Sequence, residues 1–441
     1  VGIVPEHAYD ENYGQHPIGS GRYILKQWDK GQQVIFEANP DYYGEKAKIK
    51  KVTVLFMDED AALAAAMAGQ VDVAHTAASL ADEKIDGYGL LSVTSVDNRG
   101  INLPTVKVSE KDGKTVGNDV TSDVAIRRAM NIGIDREEMI KNVLNGHGTA
   151  AYSVCDKMPW YNEESEVTYD QKSAKALLDE AGWKEGKDGI REKDGVRAEF
   201  TVMFNPDDSV RQALAEDFAN QCKELGIEVK TEGAGWDVAY DKALSQPLVW
   251  GWGAHTPMEL YNIYHTGTDS DSAEYSPYAN ETVDHYMDEA LQADTLEDSY
   301  DLWKKAQWDG ETYQGKEFYE GTAVIITEKG ERVRSKSEKI LADYFYRNNI
   351  IYKYEKPLFL KGYGTVYPDF TFLSRKTGEE IYWEHEGMMD KSDYAKTAVK
   401  KLESYQKNGI YLGERLIATF ETEQTLLNSQ IIEQLAQKYL L

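Results

Sequence analysis

The sequence predicts an α/β protein built in two unlike parts, and three observations carry that expectation. Apolar runs of strand length alternate with helical stretches along the chain. Charge changes abruptly near residue 310: residues 1–310 hold 56 Asp and Glu against 30 Lys and Arg, whereas residues 311–441 hold 20 against 19. Both cysteines, Cys155 and Cys222, and seven of the eight histidines precede that point. A step of this size marks domains with separate histories, so function is argued for each part.

At 441 residues, 41% hydrophobic, the chain is long enough for two or three ordinary cores. No run approaches the ~20 apolar residues of a membrane span, and no charged start leads into an apolar leader. The opening VGIVPEHAYDENYG, without Met, reads as the interior of a longer protein, from which a signal sequence is expected to be missing. Two isolated cysteines make no disulfide framework and are expected as buried thiols. The acidic first part disfavours nucleic acid and anionic membranes and suits cationic or neutral ligands.

In order, residues 21–38 alternate around Asp29-Lys30-Gly31, a hairpin signal. Strands are expected at 51–57 and 71–74, with an Ala-rich helix at 60–69 between them. Helices follow at 123–132, 136–145 and 172–181, the last closed by Gly182. A strand at 198–204, a helix at 210–225 stopped by Gly226 and a strand at 227–232 complete the βα alternation.

These segments carry a resemblance. HPIGSGRYILKQWDKGQQVIFEANPDYYG (16–44), ALAAAMAGQVDVA (62–74), DVAIRRAMNIGIDREEMI (123–140) and AKALLDEAGWKEGKDGIREKDGVRAEFTV (174–202) keep order and spacing. Together they resemble the family 5 extracytoplasmic solute-binding proteins, the nickel, dipeptide and oligopeptide receptors of ABC importers. The resemblance implies a two-lobe periplasmic-binding-protein-like fold, an importer permease as partner, an extracytoplasmic location and no enzymatic activity for residues 1–310. It also implies that parts are missing on both sides: residues 1–103 are expected as a partial lobe I and 104–310 as lobe II, with ligand closure compromised and binding weak or absent.

The expected ligand wall is LVWGWGAHTPMELYNIYHTG (248–267), rich in Trp and Gly. Trp250, Trp252 and His255 are its candidate ligand-binding residues. Peptide-binding relatives carry an Asp where His255 stands; an imidazole suits nickel better than a peptide ammonium, so the stretch leans toward a nickel complex or another non-peptide solute. The plainer alternative is a loop hydrogen bond. His265 is a weaker candidate and reads as structural. Arg127 and Arg128 read as fold residues, with a lobe II salt bridge expected.

Residues 311–441 predict an αβββαβα arrangement: a helix with Ile340, Leu341, Tyr344 and Phe345 at helical spacing, strands at 351–354, 363–373 and 380–386, a helix at 392–406, a strand at 415–420 and a last helix at 426–439. Glu384 and Glu386 alternate onto one strand face beside apolar Ile381 and Trp383, where carboxylates are costly without a cation. Mg²⁺ is the expected partner.

The pattern Pro368-Asp369, then Glu384-His385-Glu386, resembles the PD-(D/E)XK nuclease superfamily, with a restriction-endonuclease-like fold. That resemblance implies Asp369, Glu384 and Glu338 as metal ligands, and Asp369, Glu384, Glu386 and Lys400 as catalytic residues of a Mg²⁺-dependent deoxyribonuclease. Glu386 stands where Lys is usual, so Lys400 or Lys401 is expected to substitute. Arg332, Arg334, Lys336 and Lys339, with Lys396, Lys400, Lys401 and Lys407, would form a basic rim for DNA. The bland alternatives are a turn at Asp369, a strand pairing of Glu384 with Arg375 or Lys376, and a solvated lysine face. Another is a relic that binds nucleic acid without cutting it.

A receptor outside the membrane and a nuclease expected inside the cell have little reason to share a chain. The junction AQWDGETYQGKEF (306–318) lacks a Pro/Gly/Ser-rich linker. The expectation is a fusion of two fragments, by gene rearrangement, assembly error or artificial construction, whose joint location is undetermined.

Overall fold

The computed structural model describes residues 4–111, 113–266, 278–311, 313, 315–319, 321–374 and 377–441. Two compact units emerge, Val1–Ser92 and Val93–Leu441.

In the first unit, strands β1 (Tyr23–Asp29), β2 (Gln33–Ala38) and β3 (Lys51–Leu55) form an antiparallel sheet in that order. The expected hairpin is β1–β2, with a register shift between Leu25 and Gln27. Helix α1 (Glu59–Met67) follows. The strand expected at 71–74 does not form. Val73 is 86% exposed there, so its apolar alternation has no core to face.

The second unit begins with β4 (Asn98–Asn102), helices α2 (Val124–Gly133), α3 (Arg136–Leu144) and α4 (Gln171–Glu180), strand β5 (Glu199–Phe204), helix α5 (Ser209–Glu224) and strand β6 (Glu228–Gly233). Helix α6 (Trp236–Lys242) leads into β7 (Leu248–Trp252), followed by α7 (Met258–Tyr264), α8 (Glu281–Leu291) and α9 (Leu296–Gly310). The sheet order is β6-β5-β7-β4; β5 is parallel to both β6 and β7, and β4 runs antiparallel to β7. The compact units divide after residue 92, and β4 belongs to the second of them.

Aspartates start the helices: Asp123, Asp135, Asp170 and Asp208 each accept a hydrogen bond from a first-turn backbone N–H. Helices α2 and α4 approach so closely at Gly133 that a Cβ would sit 2.8 Å from that of Ala174. Ile126, Leu178, Val202, Cys222, Leu225 and Ile227 fill the core between helices and sheet. Both cysteines are buried free thiols.

The same unit continues past residue 310 with α10 (Lys336–Arg347), β8 (Lys353–Tyr354), a hairpin of β9 (Leu358–Leu360) and β10 (Gly364–Val366), β11 (Phe370–Leu373) and β12 (Glu380–Glu386). Helix α11 (Ser392–Lys407), strand β13 (Leu416–Phe420) and helix α12 (Ser429–Tyr439) complete it. The sheet order is β8-β11-β12-β13, antiparallel except for β12 with β13. Phe345 of α10 packs at the centre, its ring centroid 4.9 Å from Phe372 and 5.2 Å from both Phe370 and Trp383.

The single strand expected at 363–373 is two strands in different sheets. Pro368 lies between them and has no N–H to offer a ladder. The expected pairing of Glu384 with Arg375 or Lys376 involves residues outside the described ones.

Candidate functional site

Two places in the second unit gather candidate side chains. The first lies where β7 leaves the core. Leu248 and Val249 are buried at 1% and 0% exposure, while Trp250 and Trp252 are half-buried and, two residues apart, share a face. Trp250 lies edge-on to Trp236 and to Tyr240, 5.5 Å from each, and 6.3 Å from Trp252. The Trp252 indole N–H is buried without a hydrogen-bond partner.

One guanidinium lies against these rings and a second stands on the neighbouring strand, on the sheet face opposite Trp250 and Trp252. Arg211 lies 5.1 Å over the Trp236 ring and donates to the Val249 carbonyl at 3.1 Å and to Asp208 at 2.9 Å. Arg99 stands opposite Gly251 in the β4–β7 register and pairs with Asp97. A Cβ at Gly251 would lie 2.6 Å from the Arg99 guanidinium, so glycine leaves the room that Arg99 uses. Burial lowers the pKa of Arg211, and the nearby charge of Arg99 adds to the effect.

Sequence reasoning selected Trp250 and Trp252 but not Trp236, Tyr240, Arg99 or Arg211. For Trp236 and Tyr240 a signal existed, since residues four apart share a helix face. For Arg99 and Arg211 there was none, because their meeting depends on strand pairing.

His255 is exposed on the loop after β7. Glu259 organises that loop by accepting from the Gly253 and Ala254 N–H groups at 3.2 and 3.1 Å. His265 is held on the fold, stacked on Tyr261 at 4.3 Å with Nε2 3.3 Å from Asp288. Arg127 donates to the Thr121 and Ser122 carbonyls, and Arg128 reaches Glu311 at 3.8 Å, across residue 310.

The second place is the carboxylate cluster on β12. Glu384, 1% exposed, accepts from Lys401 at 2.7 Å and from the Tyr405 hydroxyl at 2.6 Å. Glu386, 3% exposed, lies 3.8 Å from Lys401, and its Oε1 has no hydrogen-bond partner. Asp369 accepts from the His385 N–H at 2.6 Å. Burial holds the Asp369 carboxyl well above the usual carboxylate range, with Glu384 and Glu338 adding repulsion and Lys401 offsetting part of it. Burial also raises Glu384, against the opposing pull of Lys401. For Lys401 burial lowers the pKa, but Glu384, Asp369 and Glu386 outweigh it and raise the ammonium above its ordinary value.

Three expectations change here. Lys400 is exposed, whereas Lys401 enters the cluster: Tyr394, Ala398, Lys401 and Tyr405 recur at helical spacing on the inward face of α11. Glu338 does not join a metal set; its carboxylate accepts from the Arg334 N–H at 2.9 Å and the Tyr354 hydroxyl at 2.6 Å, closing the start of α10. Among the described residues no group of three or more His, Cys, Asp or Glu side chains is arranged to hold a metal ion. The Lys401 ammonium already stands between two of the three carboxylates.

Part of the basic rim is engaged within the fold, while Lys336, Lys396, Lys400 and Lys407 stay exposed. Arg332 and Arg334 each lie 4.3 Å over the Phe318 ring, Arg334 is doubly bonded to Glu355, and Lys339 pairs with Asp343 at 2.7 Å. Lys396 and Lys407 pair on α11 with Asp393 and Glu403.

The mixed α/β sheet with helices packed on it is the fold class of the periplasmic binding proteins. The profile of the bacterial extracellular solute-binding proteins, family 5 middle, matches residues 2–274, and the chain belongs to that family. It is 36% identical over 301 residues to Protein XP55 of Streptomyces lividans, covering 65% of this chain and 53% of that protein. It is 31% identical over 305 residues to the oligopeptide-binding protein AppA of Bacillus subtilis, covering 66% and 54%. The chain thus spans about half the length of these curated relatives. The fold also matches that of NikZ from Campylobacter jejuni, solved in complex with Ni(L-His), with a TM-score of 0.59 and 24% identity over 70% of this chain and 63% of that one. Among the described residues no helix is long and apolar enough to cross a membrane.

Proposed function

We propose that the chain serves as the solute-binding component of an ABC importer, outside the cytoplasmic membrane, and receives its ligand on the wall formed by Trp250, Trp252, Trp236 and Tyr240. One observation carries the ligand class: the Arg211 guanidinium lies over the Trp236 ring at the edge of that wall, so a ligand with an apolar or aromatic body and a carboxylate fits it. A short peptide and a nickel ion chelated by an amino acid both meet that description. His255 belongs to no three-ligand metal group among the described residues, so nickel would arrive with its own chelator and take at most an imidazole from the protein. Calorimetric titration of the full chain with a tripeptide and with a nickel–histidine complex tests this. Saturable heat lost in Trp250→Ala supports the reading, and turnover of either ligand refutes it. Heat retained in His255→Ala with the nickel complex removes the imidazole from the account.

A second reading concerns residues 311–441, where the strand order and the Asp369, Glu384 and Glu386 cluster favour a PD-(D/E)XK nuclease-like fold. The donor set does not fit Mg²⁺ as it stands, because Lys401 neutralises Glu384 and Glu338 is engaged elsewhere, so no step is assigned to a metal. That balance favours a fold that kept its carboxylates and lost the chemistry. A plasmid-nicking assay of the full chain with Mg²⁺ or Mn²⁺, beside Asp369→Asn, decides it: cleavage abolished in the variant restores the nuclease.

A further inference from the structure

The junction near residue 310 is not a loose connection. Trp308, at the end of α9, is 3% exposed and donates its indole N–H to Glu380 at 2.8 Å. Glu380 also pairs with Lys356 and accepts from the Tyr382 hydroxyl at 2.9 Å. Lys356 reaches back to Glu311 at 2.7 Å, and Lys353 donates to the same carboxylate at 3.2 Å while lying 4.7 Å over the Trp308 ring. From the other flank, Glu164 accepts from the Glu380 N–H at 3.0 Å and lies 3.5 Å from Arg415. Arg128 of α2 closes the ring on Glu311.

Glu380, Lys353 and Lys356 are 4%, 5% and 7% exposed, so these charges are withdrawn from water. A buried ion whose partner is removed is left uncompensated, and that penalty exceeds anything a surface pair yields. The groups come from both sides: Arg128, Glu164 and Trp308 before residue 310, and Lys353, Lys356, Glu380 and Arg415 after it. Glu311 also lies after it, so Lys353 and Lys356 find their carboxylates within residues 311–441, and what crosses residue 310 is the Trp308 indole bond to Glu380, Arg128 on Glu311, and Glu164 with Arg415 and the Glu380 N–H.

We propose that residues 93–310 and 311–441 form one cooperative folding unit, locked by this buried ionic seam, and that the solute-binding region carries the C-terminal region as a fixed body. The inference rests on the seam's contacts and on neither functional reading. It is tested on the full chain by hydrogen exchange with paired variants from opposite flanks. Glu164→Ala is expected to speed exchange in β12 and α11 by roughly tenfold or more, and Glu380→Gln to do the same in α2 and α9. Faster exchange confined to the mutated residue's own side of residue 310 overturns the proposal. So does a calorimetric scan in which Glu380→Gln melts residues 311–441 early while residues 93–310 keep their original Tm. If Glu380→Gln does not fold, Glu164→Ala reads the same coupling from the opposite flank.

Discussion

Residues 93–310 and 311–441 handle charge in opposite ways. Before residue 310 the acidic excess is worn outside or spent on helix starts, and among the described residues of that stretch Arg191 is the sole fully buried ionic side chain. After it, where the net charge is nearly zero, Asp343, Lys353, Glu355, Lys356, Glu380, Glu384 and Glu386 are all buried. Net charge therefore says little about where electrostatics matter. A strongly acidic surface costs the fold little, whereas a balanced composition conceals charges that must be paired to be tolerated.

The contrast breaks first at Lys401. Its removal in Lys401→Met leaves Glu384 and Glu386 buried without a cation, and a loss of about 3–5 kcal/mol is expected by denaturant unfolding of the full chain. A loss below about 1 kcal/mol, the value of an exposed pair, erases the distinction between the two regions. In the acidic region the counterpart is Asp123, which caps α2 and accepts from the Trp183 indole at 3.1 Å and from Lys193 at 2.9 Å. Asp123→Ala is expected to cost about 1–2 kcal/mol in the same experiment, the value of a helix cap.

Asp369 sharpens the comparison with the opposite sign. A carboxyl raised by burial binds protons more readily folded than unfolded, so its contribution falls as pH rises above the unfolded value. Asp369→Asn keeps an acceptor for the His385 N–H and removes that penalty; Tm at neutral pH should rise by roughly 2–4 °C. No change, or a fall, would mean that the ionised carboxylate is satisfied.

Glu311 titrates the other way. Burial alone would raise its pKa, but Lys356, Lys353 and Arg128 hold it down at about 2. Its stabilising contribution is complete above the unfolded carboxylate pKa of about 4.5 and is lost as pH falls toward 2. In acid titrations, Glu311→Gln should flatten the loss of stability between those limits; an unchanged profile refutes the assignment. Smallest of all, Lys407→Ala breaks an exposed pair with Glu403 and should leave the denaturant midpoint of the full chain unchanged.

Much of this architecture was legible in the sequence, because it is written in local chemistry. Strand β12 occupies 380–386 as its pattern requires, and the helices at 124–133, 136–144, 171–180 and 209–224 begin beside the aspartates that cap them. The misses have physical causes. Residues 71–74 alternate like a strand but have no sheet to join, and Pro368 divides what its apolar pattern presents as one strand. Lys401, not its neighbour Lys400, enters the carboxylate cluster because the phase of α11 decides which lysine points inward. The seam was illegible: Glu164 and Glu380 are 216 residues apart, and nothing local in either marks the other. The same holds for Arg99 and Arg211, which meet only through the sheet.

The central claim, that the face carrying Trp250 and Trp236 receives the solute, is tested most directly by hydrogen exchange of the full chain with and without saturating nickel–histidine complex or tripeptide. The account predicts slower exchange in residues 236–242 and 248–255, abolished in Trp250→Ala. Protection that skips both segments, or that persists in the variant, would contradict it.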